Sequence, residues 1–279
     1  MLFFDTRLSA KGALSCASCH NPSLGWSDGR SRAVGHDMKV LARGTPTILN
    51  AAFNPLQMWD GRKATLEEQA LGPFGADEQN LPLEELERLV RANQGYVALF
   101  GTAYPGEPID RLTIAKAIAS FERTVLSTTA PFDRWRAGEA RALSPAAKRG
   151  FATFNGKGNC VLCHNGFNFT DNGFHNIGLA STPDDVGRFA IRKLPALKGA
   201  FKTPTLRDVA LTAPYMHDGS YATLAEVIDH YDRGGDAREN LSANLRPLQL
   251  TAADKRDLEE FLRSLTGEPL HVTVPRLPN

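Results

Sequence analysis

Between residues 83 and 126 apolar positions recur at helical spacing. Leu83, Leu86, Leu89, Val90, Val97 and Phe100 stand among charged residues, which predicts an amphipathic helix interrupted at Gly95. Ile114, Ala117, Ile118, Phe121 and Val125 mark a second helix over 113–126. Ser144 followed by Pro145 reads as an N-cap with proline at the first helical position, opening a helix through Ala147 to Phe154. A fourth spans 223–231 and stops at Gly234-Gly235. Thr251 caps the last, whose Leu258, Phe261, Leu262 and Leu265 form an apolar stripe ending at Gly267. No run alternates with period two. The pattern predicts an all-α chain.

Composition narrows the class. With 279 residues, 42% hydrophobic and 23% charged, the chain is neither disordered, collagenous nor a coiled coil. Its 32 basic residues nearly balance 31 acidic ones, so bulk charge suggests neither a nucleic-acid binder nor a protein of anionic membrane surfaces. No run approaches the ~18 apolar residues of a membrane span. The 24 glycines and 17 prolines imply long loops around the helices. Such loops suit a core filled partly by a prosthetic group.

The four cysteines are too few for a disulfide scaffold, and their placement carries the chemistry. They fall in two pentapeptides 144 positions apart, Cys16-Ala17-Ser18-Cys19-His20 and Cys160-Val161-Leu162-Cys163-His164. C-x-x-C-H is the attachment signature of c-type haem. Two thiols add across two vinyl groups of one porphyrin edge, and the adjacent imidazole binds iron. The expectation is two covalently bound haems c, on Cys16 and Cys19 and on Cys160 and Cys163, with His20 and His164 as proximal ligands. A zinc site or a redox pair is the alternative for either cysteine pair, but zinc does not require a histidine after both.

Covalent haem attachment takes place outside the cytoplasm, so a periplasmic location is expected. The start, Met1-Leu2-Phe3-Phe4-Asp5, carries neither a basic n-region nor a cleavage site. A signal segment removed from the chain, or a restarted numbering, would account for that. After each motif an aromatic, a hydroxyl, an aspartate and a turn former recur: Trp26-Ser27-Asp28-Gly29 and Phe169-Thr170-Asp171-Asn172. This self-similarity predicts a duplicated haem unit. Two cytochrome c-like domains with long loops are expected, over 1–135 and 136–279, joined near 131–143.

Several further stretches carry a resemblance: 2–9 (LFFDTRLS), 45–50 (TPTILN), 59–62 (WDGR), 174–178 (FHNIG), 202–207 (KTPTLR) and 213–219 (APYMHDG). With the two haem motifs, in this order, the chain resembles the bacterial di-haem cytochrome c peroxidase and MauG family. The resemblance implies a peroxidatic haem in the N-terminal half, an electron-transfer haem in the C-terminal half, and hydrogen peroxide as oxidant. Counted from Asp218-Gly219, the second haem's sixth ligand falls at Tyr231, where peroxidases carry Met and MauG carries Tyr. Met216 and His230 remain competitors for that role. A phenolate stabilises oxidised iron where a thioether stabilises ferrous iron.

The resemblance also assigns Glu78 and Gln69 to the distal side of the first haem, with Gln79 replacing Glu78 if the register shifts by one. A distal carboxylate moves a proton between the two oxygens of peroxide. His36 stands where a displaceable distal ligand of the first haem is found, or is a loop histidine. Trp59 matches the relay tryptophan between the haems, while Trp26 and Trp135 match nothing and are candidates for a surface relay. A calcium ion between the haems would take the carbonyls of Thr212 and Pro214, with Gly44 standing where an Asn ligand is expected. The implied function is a di-haem oxidoreductase that uses hydrogen peroxide to reach a high-valent state and oxidises a partner protein. A cytochrome c peroxidase fed by a small cytochrome or cupredoxin is the second reading, and a two-haem electron carrier the third.

Overall fold

The computed structural model describes all residues except 76, 181–183 and 271. Among the described residues ten α-helices follow in order: α1 (Cys16–Cys19), α2 (Leu66–Ala70), α3 (Leu83–Ala92), α4 (Gln94–Ala103), α5 (Arg111–Glu122), α6 (Pro131–Arg136), α7 (Pro145–Asn155), α8 (Phe189–Arg192), α9 (Leu224–Arg233) and α10 (Ala252–Arg263). Two short strands, β1 (Phe174–His175) and β2 (Phe201–Lys202), pair antiparallel with Phe174 opposite Lys202. The chain is therefore helix-rich with a strand pair that the alternation pattern did not reveal. Two residues are too few to show a period.

Local signals explain the helix ends. The amphipathic run from Leu83 breaks at Asn93 rather than at Gly95. The Asn93 side chain accepts the Tyr96 N–H at 2.9 Å, so Asn93 ends α3 and caps α4. Asp110 accepts the N–H groups of Leu112 and Thr113, starting α5 before the apolar stripe does. Thr223 and Glu226 form a capping box on α9, and Gly234 ends it at φ 75°. Thr251 and Asp254 do the same for α10, which stops at Arg263, ahead of Gly267.

Packing gathers two hydrophobic cores. The first runs from Leu2 to Val125 and centres on Phe3, Trp26, Phe74, Leu86, Ile114 and Ile118. The second runs from Phe132 to Leu265, with Phe132, Phe154 and Phe169 each ringed against Phe261 at 5.0–6.1 Å. In it α7 crosses α10 at Gly150, where an added methyl would overlap the Asp257 carbonyl oxygen. That close approach brings the segment leading into the second C-x-x-C-H motif against the C-terminal helix.

Candidate haem sites

The two cysteine motifs adopt the same local geometry. Cys16–Cys19 is one helical turn and Cys160–Leu162 is a 3-10 turn. The following histidines each donate their backbone N–H to the first cysteine's carbonyl at 2.8 Å. His20 Nδ1 lies 3.1 Å from the Trp26 carbonyl, and His164 Nδ1 lies 2.9 Å from that of Phe169. A carbonyl only accepts, so Nδ1 carries the proton and Nε2 keeps its lone pair for a metal. Burial holds both imidazoles below their ordinary pKa, hence neutral. Trp26 (φ 62°) and Phe169 (φ 49°) both take left-handed backbone, which turns each carbonyl toward its imidazole. The duplication seen in sequence thus has one function in both copies, which is to orient the histidine.

Both motifs line one cavity of about 1180 Å³ that extends into both halves. All four thiols are free, and burial pushes those of Cys16 and Cys160 up to about 12. Among the described residues the only group at metal-ligand spacing is Cys163, Asp171 and His175. The four thiols therefore do not gather around one zinc ion. Lys202, buried and lowered to about 8 by desolvation, lines the cavity with Arg30, Arg32, Arg62 and Arg246. Paired thiols, imidazoles with an open Nε2, and cations on the wall of an apolar cavity fit a covalently attached, propionate-bearing porphyrin in each half.

The halves repeat further than the motifs, at a constant offset of 158 residues from Thr45 and Thr203 onward. Ser27 Oγ donates to the Thr45 carbonyl and Thr170 Oγ1 to that of Thr203. Thr47 Oγ1 donates to the Gly25 carbonyl and Thr205 Oγ1 to that of Asn168. Met58 and Met216 share φ values of 73° and 74°, and Gly61 and Gly219 both sit at 65°. Thr65 and Thr223 then cap α2 and α9. Counting on, Tyr231 corresponds to Pro73. Both line the cavity, one with a phenol and the other with a ring that has no donor atom for a metal. Burial raises the Tyr231 phenol well above its ordinary pKa, with the nearby Cys160 and Cys163 adding to the effect.

At the junction Trp59 and His217 are counterparts under the same offset, and they face each other. Their rings lie edge to face at 6.5 Å. Trp59 Nε1 donates to the Gly44 carbonyl at 2.9 Å, and the Gly44 N–H donates to the His217 carbonyl at 2.7 Å. His217 stacks on Phe201 at 3.6 Å, and burial lowers it to about 4. Arg43 lies over the other end of this stack, 5.1 Å from the Phe201 centroid, and binds Asp60 and Asp185 at 2.8 Å each. Thr212 and Pro214 line the cavity nearby. Gly44 offers no side-chain oxygen, its carbonyl is taken by Trp59, and a Cβ there would sit 2.9 Å from the Ser31 carbonyl oxygen. With Asp60 and Asp185 committed to Arg43, this set is a poor fit to a hard cation such as calcium.

Gln69, Glu78 and Gln79 line the cavity that the first C-x-x-C-H motif also lines. Burial raises the Glu78 carboxyl, with Arg62 opposing. Gln79 Nε2 lies 3.7 Å from Cys16 Sγ, and both glutamine and glutamate thus reach the wall that the register left open between them. His36 is not on that wall. Its backbone N–H donates to the Asp77 and Glu78 carbonyls, and its Nε2 lies 3.3 Å from Asp37. Trp26 is 2% exposed and Trp135 packs on Phe132 and Phe151. Trp26 is therefore core and cannot be a surface relay. Met216 lines the cavity. His230 has both ring nitrogens engaged, Nε2 with the Ile177 carbonyl at 2.8 Å and Nδ1 with Tyr221 Oη at 2.9 Å, so neither is free for iron. Sequence reasoning missed Glu122, which is 3% exposed on the cavity wall. Its Oε2 has no hydrogen-bond partner, and burial pushes its carboxyl up to about 8. Its place on the buried stripe of α5, four residues after Ile118, was the available signal.

Residues 1–141 match the family model described as di-haem cytochrome c peroxidase. Over 99% of its length the chain is 47% identical to methylamine utilization protein MauG of Methylorubrum extorquens, covering 79% of that protein. The chain belongs to the di-haem cytochrome c peroxidase family. It is accordingly a peroxide-dependent di-haem oxidoreductase with c-type haem. It is also 36% identical to the cytochrome c551 peroxidase of Pseudomonas aeruginosa, over 99% of this chain and 80% of that one. Its fold matches the crystal structure of a MauG-like protein associated with microbial copper homeostasis, with a TM-score of 0.88 and 36% identity over 96% of this chain and 87% of that one. Among the described residues no helix is long and apolar enough to cross a membrane.

Proposed function

We propose that this enzyme is MauG-like and uses hydrogen peroxide to oxidise a partner protein, in the periplasm. The observation that carries this reading is Tyr231 on the cavity wall of the second half, at the position where the first half has Pro73. The haems supply the redox centres, one anchored by Cys16, Cys19 and His20 in a domain over 1–135, the other by Cys160, Cys163 and His164 in a domain over 136–279. Around them the chain does five things. His20 and His164 present Nε2 because their Nδ1–H groups are tied to carbonyls. Pro73 leaves the first site open to peroxide, and Gln69 and Gln79 offer amides to hold it. The Glu78 carboxylate, whose proton affinity burial raises, would take the proton from one peroxide oxygen and deliver it to the other, so that water leaves. Trp59 stands between the two sites to carry electrons. With haem bound, Tyr231 would supply the second site with an anionic oxygen donor, which favours oxidised over ferrous iron.

The peroxidase reading is favoured by the 36% identity to a cytochrome c551 peroxidase, and one experiment separates the two. Peroxide is added to the fully oxidised resting holoenzyme and the optical spectrum is followed. A new oxidised state formed without prior reduction is the expected result, lost in Tyr231→Met, which becomes readily reducible at the second haem. A requirement for one-electron reduction before any reaction with peroxide refutes the proposal in favour of the peroxidase.

A further inference from the structure

Behind Tyr231 the side chains of three further residues converge. Tyr221 Oη lies 2.9 Å from Asp236 Oδ2 and 2.9 Å from His230 Nδ1, and those two groups are 3.2 Å apart. His230 is fully buried, pinned by its Nε2–H to the Ile177 carbonyl. Its ring bridges the other two aromatics, with centroids 5.5 Å from Tyr231 and 5.3 Å from Tyr221. A line of rings thus runs from the wall of the second haem site outward. Its outer end is half-buried, beside Arg233 (51% exposed) and Asp236 (36% exposed). Arg233 is also the only cation bonded to Asp236 among the described residues, through Oδ1 at 3.2 Å. Oδ2 is left to the phenol and the imidazole.

We propose that Tyr221 is the residue through which oxidising equivalents leave the second haem site for the partner protein, with Asp236 holding its proton. The inference rests on the MauG-like reading above. A phenol gives up an electron readily only if its proton departs to a hydrogen-bonded base, and a carboxylate at 2.9 Å is within transfer reach. One electron passes from Tyr221 to the oxidised second haem site. The O–H bond breaks and its proton moves to Asp236, leaving a neutral phenoxyl and a carboxylic acid. The partner then supplies one electron and Asp236 returns the proton, restoring the phenol and the carboxylate. Two such cycles deliver the two electrons that, with two protons from solvent, reduce one hydrogen peroxide to two waters. Burial and the bond to Asp236 push the phenol up to about 12, so it keeps its proton until it is oxidised.

The test uses the di-haem holoenzyme and two variants, Tyr221→Phe, which keeps the ring, and Asp236→Asn, which keeps an acceptor but no base. Haem content by mass and the resting optical spectrum should match the native enzyme in both. After peroxide, the native enzyme should show a tyrosyl radical by electron paramagnetic resonance, with hyperfine structure that collapses when ring-deuterated tyrosine is incorporated. Tyr221→Phe should lack that signal. Reduction of the peroxide-oxidised enzyme by ferrocyanide should slow by about 100-fold in both variants, the lower end of what a positioned proton acceptor contributes. An oxidised optical state in the native enzyme with no tyrosyl signal, or unchanged reduction in Tyr221→Phe, overturns the proposal and leaves the MauG-like reading standing. No oxidised optical state at all in the native enzyme overturns that reading, and this proposal with it.

Discussion

Glu122 should make the stability of the protein depend on pH in a way that one substitution removes. Its carboxyl is 3% exposed. The ionisable groups near it are Cys16 and the Arg123–Glu67 ion pair. Arg123 faces outward and offsets only part of the burial effect. The folded protein therefore holds a proton on Glu122 up to about pH 8, whereas an ordinary carboxyl loses it at 4.5. Between those values the folded state binds more protons than the unfolded one, so stability falls as pH rises. Each pH unit in the window costs about 1.4 kcal/mol, giving at most about 5 kcal/mol across it. Glu122→Gln keeps the shape and cannot ionise. Guanidinium unfolding of both holoproteins at pH 5, 6, 7 and 8 should show native and variant close together at pH 5 and the variant increasingly more stable toward pH 8. A stability difference that is flat with pH would refute the reasoning, because it would mean Glu122 titrates at the same pH whether folded or not.

Two further substitutions probe the packing inside each haem-binding half. Gly150→Ala should destabilise by about 3 kcal/mol, read as a lower guanidinium midpoint, because the new methyl meets the Asp257 backbone carbonyl where α7 crosses α10. Asp5→Asn should cost about 2 kcal/mol at pH 7, since the buried carboxylate holds Arg7 at 2.7–3.1 Å and the Tyr96 hydroxyl at 2.7 Å. Burial works against the Asp5 charge, but these bonds outweigh it and lower its pKa below 3.8. The stability it contributes is therefore present above that pH and is lost as pH falls further. Unfolding at pH 7 and pH 2.5 should show the deficit of the variant shrinking in acid.

Much of this protein is written locally. The C-x-x-C-H pentapeptides state their chemistry because two thiols and an imidazole at that spacing already match one porphyrin edge. Helix starts at Ser144, Thr223 and Thr251 were legible because a cap acts within one turn. The repeat of Trp26 and Phe169 was legible too, although its purpose, a carbonyl on each histidine's Nδ1, came from the fold. Where two local signals competed, as at Asn93 and Gly95, the cap decided and periodicity alone pointed to the wrong residue. The correspondence of Tyr231 with Pro73 lay in the sequence as a constant offset, but it gained meaning only when both side chains were found on one cavity wall. Tertiary structure alone decided the rest. Trp59 faces His217 because two halves pack; Glu122 keeps its proton because α5 buries it; and Tyr221 meets Asp236 because α9 ends at Gly234 and the chain turns back. Proton affinity and electron transfer depend on burial and on distances between residues far apart in sequence. Those are fixed by which elements pack together, and no short segment of the chain contains them.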